Sequence, residues 1–338
     1  MARFRPRRAH LREIVKTPAA LAVVTYALLA LALPAARAEP LALTARVLAP
    51  TAMTNGGALG RLRWMGGLEL SAPDRRFGGL SGLLISADGT RLTAVSDRGY
   101  WVAARLVYDA AGRLAGVDDA SIAMLRGTDG LPLRERRDRD AESLAAMPDG
   151  AVLVGFEHNH RLWRYPASAA PLAGVPMLVT APAALTRAGR NSGLEALTDA
   201  DGDTVLAVME GNANRAESAA YLWRDGAWRA TRYARERDFR PTGATRLPDG
   251  DILLLERRFN LMDGIAARLR HVPGASLVSG AKLRGTPIAT LAPPAPVDNM
   301  EGIAARQTAA GATVVYLISD DNYNPLQRTL LLMFELRE

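Results

Sequence analysis

Carboxylates recur at matching places along the chain. Asp97, Glu157, Glu210, Glu256 and the pair Asp320-Asp321 each end a short apolar run, and Glu142, Glu195 and Glu301 each stand at the start of one. If the fold gathers them, they cannot all stay ionised in a desolvated space without positive partners, because like charges raise one another's pKa. Two kinds of partner are available. A hard cation is one, and oxygen-only ligands favour calcium over zinc or copper, with Asn212, Asn299 and Asn322 able to add neutral oxygens. Arginine is the other: Arg98, Arg240, Arg257 and Arg258 adjoin these positions, and their planar forks suit carboxylates or phosphates. The plainer alternative is that each acid only closes its own strand ends by pairing with a neighbouring arginine or backbone amide.

Other chemistry is poorly represented. The run Glu157-His158-Asn159-His160 contains a His-x-His pair, but it reads as a surface turn ahead of a transition-metal site. No Gly-x-Ser-x-Gly elbow accompanies the few histidines, so a serine hydrolase is unsupported. Gly78-Gly79-Leu80-Ser81-Gly82 lacks the lysine and helix of a phosphate loop and reads as the entry to a strand. Trp163, Trp223 and Trp228 fall inside apolar runs and read as core.

The acids are positioned by a repeat. Five segments share one plan, in which a polar residue opens an apolar strand, a turn follows, and a second apolar strand ends on a carboxylate. The openers are Ser81, Glu142, Glu195, Thr242 and Glu301, with spacings of 61, 53, 47 and 59 residues. Asp88-Gly89, Asp149-Gly150, Asp201-Gly202 and Asp249-Gly250 supply the turns in four of them, because Asp-Gly provides the backbone geometry of a tight hairpin. A period near 55 residues fits a four-stranded propeller blade with its loops. Helical spacing is nearly absent after residue 40, apart from the ambiguous stretch 265–269. The expected fold is therefore all-β, a single β-propeller of five or six four-stranded blades, with a pair of β-sandwiches as runner-up. The terminal run Thr329-Leu330-Leu331-Leu332-Met333-Phe334 is expected to close the ring by pairing with an early strand such as Leu62–Leu70.

Composition narrows the partners. The 338 residues carry net charge +7 and no cysteine, which removes disulfides, thiolate metal sites and cysteine nucleophiles. Residues 1–38 contribute +6 of that charge, so residues 39–338 hold no basic excess for binding nucleic acid. The basic stretch through Lys16, the uncharged run Pro18 to Leu33 and the small residues before Ala38 read as a signal peptide over 1–38, cleaved after Ala38. Its apolar run is short for a bilayer core, which needs roughly 20 residues. Arg7-Arg8 resembles a twin-arginine signal, although His10 stands where that pattern has an aromatic or apolar residue. Residues 39–338 are thus expected to form one domain in the periplasm or outside the cell, without stable membrane insertion.

The repeat positions also carry a family resemblance. Phe77-Gly78-Gly79-Leu80-Ser81-Gly82, Ser96-Asp97-Arg98-Gly99, Asp140-Ala141-Glu142-Ser143-Leu144, Asn191-Ser192-Gly193-Leu194-Glu195, Arg240-Pro241-Thr242-Gly243, Asn299-Met300-Glu301-Gly302 and Ile318-Ser319-Asp320-Asp321-Asn322 together resemble the bacterial exported phytase-like proteins described as having esterase-like activity of phytase. The resemblance spans about residues 62 to 336. It implies a propeller related to alkaline phytases, which hydrolyse phosphomonoesters with calcium bridging substrate phosphates. On that footing Asp97, Glu142, Glu157, Glu195, Glu210, Glu256, Glu301 and Asp320 are the candidate metal ligands, Arg98 and Arg257 or Arg258 would clamp phosphate oxygens, and Glu210 would orient or deprotonate the water. Ser81 and Thr242 depart from the acidic opener and leave the ring uneven. The expected substrate is a small anionic ester, and the rival expectation is a non-catalytic propeller that binds a ligand or protein partner at its mouth.

Overall fold

A computed structural model describes Met1 and residues 38–49, 58–168, 172–189, 192–211, 215–236, 238–260 and 262–337. The expected signal peptide, apart from Met1 and Ala38, and the candidate ligand Asn212 lie outside the described residues. Among the described residues no helix is long and apolar enough to cross a membrane.

The repeats fold into five antiparallel blades. Their innermost strands are Leu80–Ile85, Ala141–Ala146, Leu194–Asp201, Arg240–Arg246 and Asn299–Gln307, each followed outward by its hairpin partner Arg91–Ser96, Val152–Phe156, Thr204–Met209, Ile252–Asn260 or Thr313–Asp320. The inner strands neighbour one another in turn around the axis, the last packing against the first. The stretch 265–269 belongs to the strand Gly264–Val272 and not to a helix. Thr329–Leu336 pairs antiparallel with Leu62–Ser71, Thr329 opposite Leu70 and Leu336 opposite Leu62, so the two ends of the domain complete the fifth blade together. That is the expected closure, and it ties the ring shut without a disulfide.

Alternation along the second strand of each blade builds the core. Leu255 packs with Leu317 of the fifth blade, whereas Leu254 packs with Val208 of the third. Val95 likewise faces the second blade and Ala94 the fifth. Five apolar clusters result, one between each pair of neighbouring blades.

Small residues let the inner strands approach the axis. A Cβ on Gly302 would lie 2.5 Å from the Ser81 carbonyl oxygen and 2.6 Å from Ile318 Cγ2. Gly302→Ala is therefore expected to destabilise the fold by about 1–3 kcal/mol, the usual cost of overpacking, read as a fall in Tm. An unchanged Tm would show that the inner strands have room to part.

Candidate functional site

Every inner strand carries a register shift at its opener. Glu142, Glu195, Thr242 and Glu301 are each skipped by the pairing, and in the first blade the shift spans Ser81-Gly82. A bulge of this kind leaves one residue without a partner and re-aims its side chain. Thr242 Oγ1 donates to the Met300 carbonyl of the next blade at 2.8 Å, and Ser143 Oγ donates to that of Leu194 at 2.6 Å. Between the openers the axial space narrows to about 10 Å³.

A second ring lies above. Asp97, Glu157 and Glu210 each donate their backbone N–H to the carbonyl of Gly79, Asp140 and Gly193, and Asp320 stands opposite Asn299. In the fourth blade the residue in that place, opposite Arg240, is Arg257 and not Glu256. Glu256 comes one residue early and so shares the face of Leu254, turned towards the third blade. There it is fully buried, accepts a hydrogen bond from Tyr233 Oη at 2.8 Å and lies 3.8 Å from Arg270. The structure thus removes Glu256 from the group of candidate ligands, because one residue of register turns a strand side chain to the opposite face.

The other seven candidates, Asp97, Glu142, Glu157, Glu195, Glu210, Glu301 and Asp320, line one cavity of about 260 Å³, with Asp140, Arg257, Asn299 and Asn322. Glu210 pairs with Arg240 at 2.7 Å and Glu301 with Arg257 at 3.3 Å, while Glu157 accepts the Gly193 N–H at 2.7 Å. Burial and mutual repulsion dominate the rest. Burial, with Glu195 and Asp140 alongside, holds Glu142 well above the usual carboxylate range, and burial with Glu157 and Glu301 does the same for Glu195. Burial pushes Glu301 up to about 7 despite Arg257, Asp320 up to about 7, and Asp97 up to about 6 with help from Asp140. Oδ1 of Asp97 is buried with no hydrogen-bond partner. An oxygen-lined well whose acids are crowded and incompletely paired fits a hard divalent cation.

Two residues outside the candidate set, Asp140 and His158, complete this site. Asp140 precedes the opener by two, and His158 follows Glu157; their ligand atoms and one oxygen of Glu157 lie within 4.8 Å of one another. Among the described residues this is the one triad of acids and histidines so close, so the candidate ligands do not all meet at a single point. His158 Nδ1 is hydrogen-bonded to Asp140. The expected surface turn is real: His158 sits in it at φ 53°, and its side chain lines the larger cavity at the mouth. No local pattern in the sequence announces that angle.

Asp97, Asp140 and Asn322 also line a larger cavity of about 750 Å³, together with Arg98, Arg136, Arg137, Arg139, His158 and Tyr323. Arg98 stacks on the Tyr323 ring at 3.1 Å from its centroid. Arg136 and Arg137 extend from a short 3-10 turn, Arg136–Asp138, and neither makes an ion pair among the described residues. Arg258, by contrast, lines neither cavity; it lies over Phe239 and 3.9 Å from Asp263. The mouth therefore joins an acidic well to an arginine rim, an arrangement able to hold a cation beside an anionic group.

A family model described as phytase-like, esterase-like activity of phytase, matches residues 75–323. No curated protein sequence matches the chain. Similar solved structures include the PQQ-bound aldose sugar dehydrogenase of Streptomyces coelicolor, at 13% identity over 88% of this chain and 99% of that one, TM-score 0.43. A gluconolactonase of Xanthomonas campestris is 15% identical over 89% and 98%, TM-score 0.39, and virginiamycin B lyase of Staphylococcus aureus is 11% identical over 75% and 83%, TM-score 0.38. At such identities and scores these likenesses say nothing of this chain's chemistry.

Proposed function

The chain belongs to the phytase-like family described as esterase-like activity of phytase, and from that premise we propose that it is an exported hydrolase that cleaves a small anionic ester, a phosphate ester first, at the axial mouth with calcium bound. The observation that carries the reading is the junction of the two cavities, where an unpartnered oxygen of Asp97 and the crowded acids adjoin Arg98, Arg136 and Arg137. Export rests on the leader of residues 1–38, as does a periplasmic or secreted location.

Asp97, Asp140, Glu142 and Glu157 are the residues that would hold the ion, with Asp320 beside them. Calcium, when bound, would draw charge from a substrate oxygen and acidify a coordinated water. Arg98, braced on Tyr323, and the rim arginines Arg136 and Arg137 orient the anionic group by paired N–H donors. Glu210, fixed by Arg240, orients the attacking water, and Arg257 faces it from the neighbouring blade. The axial space at the openers narrows to about 10 Å³, room for about one water molecule.

A second reading is a propeller that binds an anionic ligand without turning it over, favoured by the pairing of Glu210 and Glu301 to arginines. Phosphomonoester, carboxylic-ester and lactone substrates, each with calcium and with chelator, separate the two. Calcium-dependent product release is expected, and Glu210→Gln should lower kcat about 100-fold or more with KM little changed. Turnover indifferent to chelator would sink the cation, and saturable anion binding with no turnover would favour the second reading.

A further inference from the structure

The fourth blade breaks the charge pattern of the mouth in three places at once. Its opener is Thr242, neutral where the second, third and fifth blades have glutamate. Its upper-ring residue is Arg257, where the other four blades have Asp97, Glu157, Glu210 and Asp320. Opposite Arg257 it has Arg240, where the second blade has Asp140. This blade alone contributes guanidinium and no carboxylate to the well.

Both guanidiniums are engaged with neighbouring acids. Strand alternation points Arg257 towards the fifth blade, where its Nη2 lies 3.3 Å from Glu301 Oε1, and Arg240 Nη1 reaches Glu210 Oε1 of the third blade at 2.7 Å. Glu301 first, with Glu195, Glu210 and Asp320, holds the Arg257 guanidinium charged against its burial. On the opposite side of the axis the position differs. Asp97, Glu142 and Glu157 make no ion pair with any arginine or lysine among the described residues, and the partner of Asp140 is His158; Glu195 of the third blade and Asp320 of the fifth are likewise without an ion pair. The well thus has its two arginine-paired acids, Glu210 and Glu301, beside the fourth blade, and four of its acids without an arginine partner among the described residues, Asp97, Asp140, Glu142 and Glu157, gathered at the first and second.

We propose that Arg257 is a built-in counter-cation that occupies the place of one divalent ion, so that the mouth takes up ions only on the side of the first and second blades. The inference rests on the reading that the mouth binds a divalent cation, and it adds where and how many. The physics is charge balance in a closed space: crowded carboxylates need positive charge within a few ångström, and a guanidinium, charged at every working pH, meets that need without an ion. It also leaves the axis with a fixed polarity, a guanidinium facing an exchangeable cation across the well. An anionic substrate lying between them would be oriented by both.

Ion stoichiometry tests this, with calcium alone as the probe, by equilibrium dialysis and native mass spectrometry on the full protein. Arg257→Glu is expected to bind one calcium more than wild type, and Glu301→Gln added to it should remove the extra ion. Arg257→Gln, which deletes the charge without adding a ligand, should gain the same ion more weakly, and Arg257→Lys should keep the wild-type count. An unchanged count in Arg257→Glu overturns the proposal, and so does an unchanged count in Arg257→Gln if the glutamate variant does not fold. A wild type that binds no calcium overturns the cation reading itself, and Arg257→Glu then decides the role of Arg257 separately, since gain of one ion upholds it and gain of none ends it.

Discussion

Glu142→Gln is expected to stabilise the metal-free protein at pH 8 and at the same time to destroy its tight calcium binding. Glu142 is held well above the usual carboxylate range by burial first, then by Glu195 and Asp140, so ionising it at pH 8 works against the fold. A neutral amide of the same shape removes that repulsion, a relief on the order of 1–3 kcal/mol, comparable with that of an uncompensated buried polar group. At roughly 2–4 °C per kcal/mol, Tm should rise by several degrees without calcium. In wild type, calcium supplies the missing charge and should raise Tm as its concentration exceeds Kd; in the variant that response should vanish. A Tm that falls without calcium, or a wild-type response to it, would make Glu142 a residue of the scaffold. The opposition of stability and function at one carboxylate is the usual signature of a binding site.

The stability of metal-free wild type should fall as pH rises from about 4 to about 8. Glu301 and Asp320 ordinarily lose their protons at 4.5 and 3.8, and in the fold they hold them up to about 7, chiefly because both are buried. Between those values the native state binds more protons than the unfolded chain, so stability decreases with pH across the window. The contribution is fully present below about pH 4 and gone once pH passes about 7. One pKa unit corresponds to about 1.4 kcal/mol, and because the two acids interact with the same neighbours their effects do not add in full; a total on the order of 5 kcal/mol is expected. Saturating calcium should reduce the part of the slope that comes from Asp320, which lies beside the ion, and leave the part from Glu301, which is paired to Arg257; proton uptake on calcium removal should be measurable by calorimetry. A metal-free Tm that climbs from pH 5 to pH 8 would show that these acids are ionised in the fold without penalty and that the well has no need of a cation.

Much of the architecture was legible in the residues. The openers at 81, 142, 195, 242 and 301 do occupy one equivalent place in five inner strands, and the terminal strand does pair with Leu62–Ser71. Seven of the eight candidate ligands share one cavity. Local signals suffice for this because hairpin turns, apolar runs and repeat spacing are all properties of neighbours in the chain. The spacing allows five or six blades because it includes loops of unequal length, and the closed ring of inner strands sets the number at five.

The exceptions share a cause. Glu256 and Arg257 are adjacent, both charged, and both follow the same leucine run, so nothing in their sequence says which of them reaches the axis. Side chains alternate with a period of two residues, and the pairing of Arg257 with Arg240 fixes which face is which. Asp140 and His158 come together from the ends of two neighbouring strands, and Arg136 and Arg137 from a turn between blades. The repeat, the closure and the supply of acids follow from composition and spacing along the chain. Which acids face one another, where arginine replaces them and which are held above their ordinary pKa depend on register, bulges and burial, and these arise only when the blades pack around the axis.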